Sequence, residues 1–137
     1  MRRSGVVLAL VTVAFTTSAC GGSDAPPFPS STTSGVDPER AATAIEALCE
    51  MEAASDLEPA RAAFYDRAHA TLHEIASATA SADPGSDTEL LIAKQRVEAA
   101  LEENALPPGF GVDVALLRDA ATAALDPLGI PSAGCAR

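Results

Sequence analysis

Tryptophan is absent from this chain and tyrosine occurs once, at Tyr65, so aromatic side chains make up only 4% of its 137 residues. With so few rings there is little to stack a sugar, and a carbohydrate-active site is not expected. Basic residues are also scarce, 9 Lys and Arg against 19 Asp and Glu. They form no cluster, which argues against nucleic acid as a partner, because a phosphate backbone needs concentrated positive charge. No stretch alternates apolar and polar residues long enough to read as a strand, and no sheet is expected. Recognisable catalytic signatures are missing as well. There is no G-x-S-x-G nucleophile turn, no glycine loop for phosphate, no C-x-x-C-H haem attachment and no H-E-x-x-H helix. The expectation is a protein that is not an enzyme.

What is present begins with the segment ahead of Cys20. Arg2 and Arg3 form a short basic start, the run Gly5 to Phe15 is apolar, and Thr16-Thr-Ser-Ala-Cys20 follows. This is the order of a secretory signal, and the apolar run falls short of the roughly 20 residues that span a bilayer. Ser18, Ala19 and Cys20 resemble the lipobox of bacterial lipoproteins. The resemblance covers residues 1–20 and implies that the cysteine is acylated, by chains such as palmitate, and becomes the first mature residue. Thr17 departs from the pattern, which favours Leu, Val or Ile there. Ordinary cleavage after Ala19, releasing an unanchored protein, is the competing reading.

The cysteine count fits the lipid. Three cysteines are present; with Cys20 acylated, Cys49 and Cys135 remain as a pair, and an oxidising exterior would let them form a disulfide. Two free thiols, or a zinc site built from Cys49, Cys135, His69 and His73, are the alternatives. Without Arg2 and Arg3 the remainder carries 7 basic against 19 acidic residues, a formal charge of −12 with neutral histidines. So acidic a body would not adhere to an anionic membrane by itself, and attachment would rest on the lipid.

Gly21 to Val36 is too rich in Ser, Thr, Pro and Gly to fold and reads as a disordered tether. Its 16 residues give a typical reach of about 20 to 24 Å. Residues 37–137 are long enough for one small domain. Alanine dominates its apolar content, which favours helix but gives each buried position little volume.

Four helices are predicted. Asp37 and Pro38 open the first, with Ala41, Ala44, Ile45 and Leu48 at core spacing and Cys49 beside that stripe. The second runs from about Leu57 to Ala80, capped by Asp56, with Phe64, Ala68, Leu72, Ile75 and Thr79 along one face. Ser86 and Glu89 form a capping box opening a third helix to about Asn104, its stripe being Leu90, Ala93, Val97 and Leu101. The fourth, with Asp113 as cap, buries Val114, Leu117, Ala121, Ala124 and Leu125 until Pro127 stops it. Short connections favour an all-α fold, a small antiparallel four-helix bundle, and the Gly- and Pro-containing tail reads as an irregular strap returning Cys135 to the first helix. Composition and tether give the chain the general look of small helical-bundle lipoproteins of high-GC Gram-positive bacteria.

One constellation could carry chemistry. His69 and His73 are the only histidines and stand four apart, so on a helix they share a face and can chelate a Zn or Cu ion, with Asp66 approaching from the same side. Measured from the stripe centred at Ala68, they project roughly 100° and 140° from the core direction, on the flank or the solvent face, where histidines need no role. Phe64 and Tyr65 read as packing. Leu91, Ile92 and Leu116 fall off the stripes and leave apolar surface for a partner. The functional expectation is a lipid-anchored module outside the cytoplasmic membrane that works through an envelope protein partner and needs no cofactor. The alternative is a transition-metal-binding lipoprotein using the His pair.

Overall fold

The computed structural model describes residues 35–132, 134 and 135. The expected leader, Cys20 as the expected acylation site and nearly all of the expected tether lie outside the described residues. Helix α1 spans Pro38–Glu52 and starts as its sequence dictates. The Asp37 carboxylate accepts from the Glu39 amide at 2.8 Å and the Arg40 amide at 3.4 Å, and Pro38 occupies a first-turn position where no amide hydrogen is needed. Ala41, Ala44, Ile45, Ala47, Leu48 and Met51 form its buried face.

The second rod holds a change of winding that the apolar spacing did not announce. Helix α2, Leu57–Ala63, passes into a single π turn, Phe64–Ala68, and continues as α3, His69–Thr79. The amide of His69 bonds back five residues, to the Phe64 carbonyl. Residues five apart on an ordinary helix point about 140° away from each other. The wider turn instead stacks the His69 ring edge-on over Phe64, with centroids 5.5 Å apart. The predicted stripe survives the change, and Phe64, Ala68, Leu72, Ile75 and Thr79 are all buried. Asp56 precedes α2, but its side chain makes no capping bond.

Helix α4, Pro84–Leu101, begins two residues before the expected Ser86. Asp83 followed by Pro84 is the effective start. The Asp83 carboxylate accepts from the amides of Gly85 and Ser86, and the Ser86 hydroxyl donates to it at 2.7 Å, so Ser86 supports the cap without being the cap. These bonds hold the Asp83 carboxyl below its usual range, the Ser86 hydroxyl being the largest cause. At the far end, α4 stops at Leu101 instead of reaching Asn104. The Arg61 guanidinium from α2 donates to the Leu101 carbonyl at 2.7 Å and to the Glu103 carbonyl at 3.0 Å, satisfying acceptors the helix itself leaves open.

Helix α5 spans Phe110–Leu125, starting three residues ahead of Asp113. Gly109 takes a φ of 90° to turn the chain into it. Gly111 then sits so close to α1 that a β-carbon would lie 2.9 Å from the Glu52 carbonyl oxygen, so this crossing needs glycine. Pro127 falls in a short 3-10 turn, Asp126–Leu128, that finishes the rod. The Thr79 hydroxyl ties the end of α3 to the Ala124 carbonyl at 2.8 Å in the interior.

The architecture is the antiparallel four-helix bundle expected, with α2 and α3 counted as one rod, and no strand occurs among the described residues. The strap is present too. Ile130 is buried, and Cys135 is joined to Cys49 by a disulfide with α-carbons 5.5 Å apart, 86 positions apart in the chain. Both cysteines are committed to each other, which removes the four-ligand zinc alternative.

Candidate metal centre

Helix α3 places His69 and His73 one turn apart, their rings edge-on with centroids 4.8 Å apart. His69 is the more enclosed, its side chain 33% exposed and seated against Phe64 and Tyr65, whereas His73 is open to solvent. The spacing argument therefore located both correctly, on the flank and on the outer face. It did not supply the third group. Glu98 of α4 reaches across the seam, and its Oε1 lies 3.0 Å from Nε2 of His69. One ligand atom each from His69, His73 and Glu98 falls within 4.8 Å of the others.

The carboxylate expected here, Asp66, is elsewhere. It is exposed on the α1 side of the rod and lines a hollow with Arg40, Thr43, Arg67, Ala70 and Thr71. Glu74, adjacent in sequence to His73, also turns away and pairs with Arg40 at 2.9 Å. Of the carboxylates near the histidines in sequence or space, Glu98 completes the cluster.

A fourth residue shapes the electrostatics. Lys94 is the only lysine in the chain, and its side chain is 5% exposed. Its Nζ donates to Oε1 of Glu98 at 2.6 Å, so one carboxylate oxygen serves both the ammonium and the His69 ring. Lys94 stands four residues after Leu90 and hence on the apolar stripe of α4, packed among buried residues. A lone lysine at a core position was the available sequence signal for this cluster. Loss of water around His73 holds its imidazole below its ordinary value of 6.5, with the positive charge of Lys94 and the neighbouring His69 adding to the effect and Glu98 opposing it. The direction of that shift favours the neutral imidazole, the form that coordinates metal.

Two imidazoles and a carboxylate form a donor set suited to Zn or Cu, with a further position left for water or another ligand. Around zinc, tetrahedral ligand atoms stand about 3.3 Å apart. The ligand atoms here lie within 4.8 Å of one another, and His69 is braced by the two aromatic rings. In donor type and proximity the three residues fit such an ion. Together, fold and cluster define a small all-α bundle with a two-histidine, one-carboxylate seam. No protein-family model, curated protein or solved structure matches the chain.

Proposed function

We propose that this chain is an extracytoplasmic, lipid-anchored helical bundle that binds a transition-metal ion, Zn or Cu, through His69, His73 and Glu98. The convergence of these three side chains from two helices within 4.8 Å carries the reading. Export and anchoring rest on the residues around Cys20, and the Cys49–Cys135 disulfide accords with an oxidising compartment. The role is carriage or presentation of the ion to an envelope partner, without catalysis.

Equilibrium dialysis of the exported full-length protein against Zn and Cu tests it. One ion per chain is expected, with stoichiometric uptake abolished in His69→Ala/His73→Ala and reduced at least tenfold in Glu98→Ala. Uptake that the double variant retains overturns the site. Palmitate labelling tests the anchor: incorporation lost in Cys20→Ser supports it, and an unlabelled wild type refutes it. The simpler reading, an interaction module without metal, draws on the exposed Leu91, Ile92 and Leu116. It predicts a double-histidine variant unchanged in fold and in partner capture.

A further inference from the structure

We infer that Lys94 is a tethered competitor for the metal, a resident cation that holds Glu98 when no ion is bound and so sets the centre to exchange its ion readily. This inference rests on the metal-binding reading above and specifies how that same site is regulated.

The seam offers one strong anion to two cations. Glu98 Oε1 accepts from Lys94 Nζ at 2.6 Å, and Glu98 is also the carboxylate an ion would need. Glu98 is 27% exposed and Lys94 5%, so the pair sits where water screens charge poorly and two nearby positive centres repel strongly. Lys94 cannot swing far to relieve that repulsion. Its stem is packed on the buried face of α4 with Leu90 and Val97, which keeps its head beside Glu98. An incoming divalent ion must therefore take a share of Glu98 against an ammonium at high effective concentration, and the departing ion is replaced at once by the same group.

Selectivity follows from this arrangement. With the carboxylate blunted by Lys94, ions that depend on oxygen donors, such as Ca and Mg, lose their main attraction, while ions that favour imidazole keep two ligands. Removing the ammonium has the reverse effect. It leaves a partly buried carboxylate without its counter-charge, an arrangement that seeks a cation from solution.

Zinc affinity of the exported full-length protein, measured by competition with a chromogenic chelator, decides the matter in wild type, Lys94→Met and Lys94→Gln, each checked for fold by circular dichroism. Affinity in Lys94→Met at least tenfold tighter than wild type, with Lys94→Gln shifted the same way, is the expected result. Equal or weaker affinity in both folded variants, while wild type binds zinc, overturns the role of Lys94 and leaves the metal centre standing. Absence of stoichiometric zinc in all three proteins overturns both. Because the chain has a single lysine, ¹⁵N-lysine labelling gives one side-chain Nζ resonance even if the variants misfold. That resonance should move on zinc addition to wild type, and a fixed resonance alongside shifting histidine signals refutes the competition.

Discussion

Two junctions of the bundle are built on opposite principles. Where the C-terminal strap meets α1, every element is fixed: a disulfide joins Cys49 to Cys135, and Gly111 brings α5 onto the Glu52 carbonyl. Arg118 pairs with the Glu52 carboxylate and also donates to Cys135 Sγ at 3.4 Å. Where α3 meets α4, one carboxylate is divided between a lysine and a histidine, and the outer histidine is exposed. An alanine-rich interior contributes little buried area per residue, so a covalent clasp adds stability that such a core supplies sparingly. The seam, relieved of that duty, can hold charges that are only partly matched. Matched charges stabilise, and unevenly shared ones can exchange.

The largest test of this contrast is to remove the clasp. Cys49→Ser/Cys135→Ser opens a closure spanning 86 positions, and a loop of that length stabilises by about 4 to 5 kcal/mol in the chain-entropy model. Urea unfolding should show a loss of that order. Zinc uptake by the fraction that remains folded should stay unchanged, and a parallel fall in affinity would show that the two junctions are coupled.

Crowding the glycine contact comes next. Gly111→Ala places a methyl 2.9 Å from the Glu52 carbonyl, and the required backbone shift should cost about 1 to 3 kcal/mol, read as a lower denaturation midpoint. An unchanged midpoint would mean that the α1–α5 junction is looser than described.

The smallest expected effect is electrostatic. The bond from Arg67 is the main cause holding the Glu50 carboxyl below its ordinary value of 4.5, with burial opposing and the charge of Arg67 assisting. A carboxyl whose value is depressed on folding stabilises fully above its unfolded value and loses that contribution as pH falls through the folded one. The stability difference between wild type and Glu50→Gln should therefore be slight at neutral pH, where this exposed pair is screened, should begin to shrink as pH falls below 4.5, and should vanish once pH is below the folded value. A difference that grows with acid would reverse the assignment.

Much of this arrangement was legible in the chain. Asp37-Pro38 marks the opening of α1, and the stripes of α4 and α5, from Leu90 to Leu101 and from Val114 to Leu125, are buried as their periodicity requires. The pairing of Cys49 with Cys135 follows from counting once Cys20 is set aside as the expected acylation site. Helix starts were less accurate, because Ser86-x-x-Glu89 and Asp83-Pro84 both satisfy the local rules, and the proline-led start prevailed. The π turn after Ala63 leaves the apolar spacing intact and so was invisible in it. The candidate centre was half legible. His69 and His73 are neighbours on one helix, but Glu98 belongs to another, and which residues meet across a seam depends on how the two helices are offset along their axes. Asp66, three before His69 and seven before His73, shares their side on a regular α-helix, but it lies within the π turn Phe64–Ala68, where that spacing no longer holds, and the rod turns it toward α1.

Arg61 carries a consequence for how the chain can be divided. Its guanidinium finishes α4 by binding a carbonyl 40 positions further along, so the stop signal for that helix is stored in an earlier one. A fragment beginning at α3 would retain every residue of α4 and still lack the group that closes it. The bundle is thus not modular along its sequence, and truncation from the front uncaps a terminus much nearer the back.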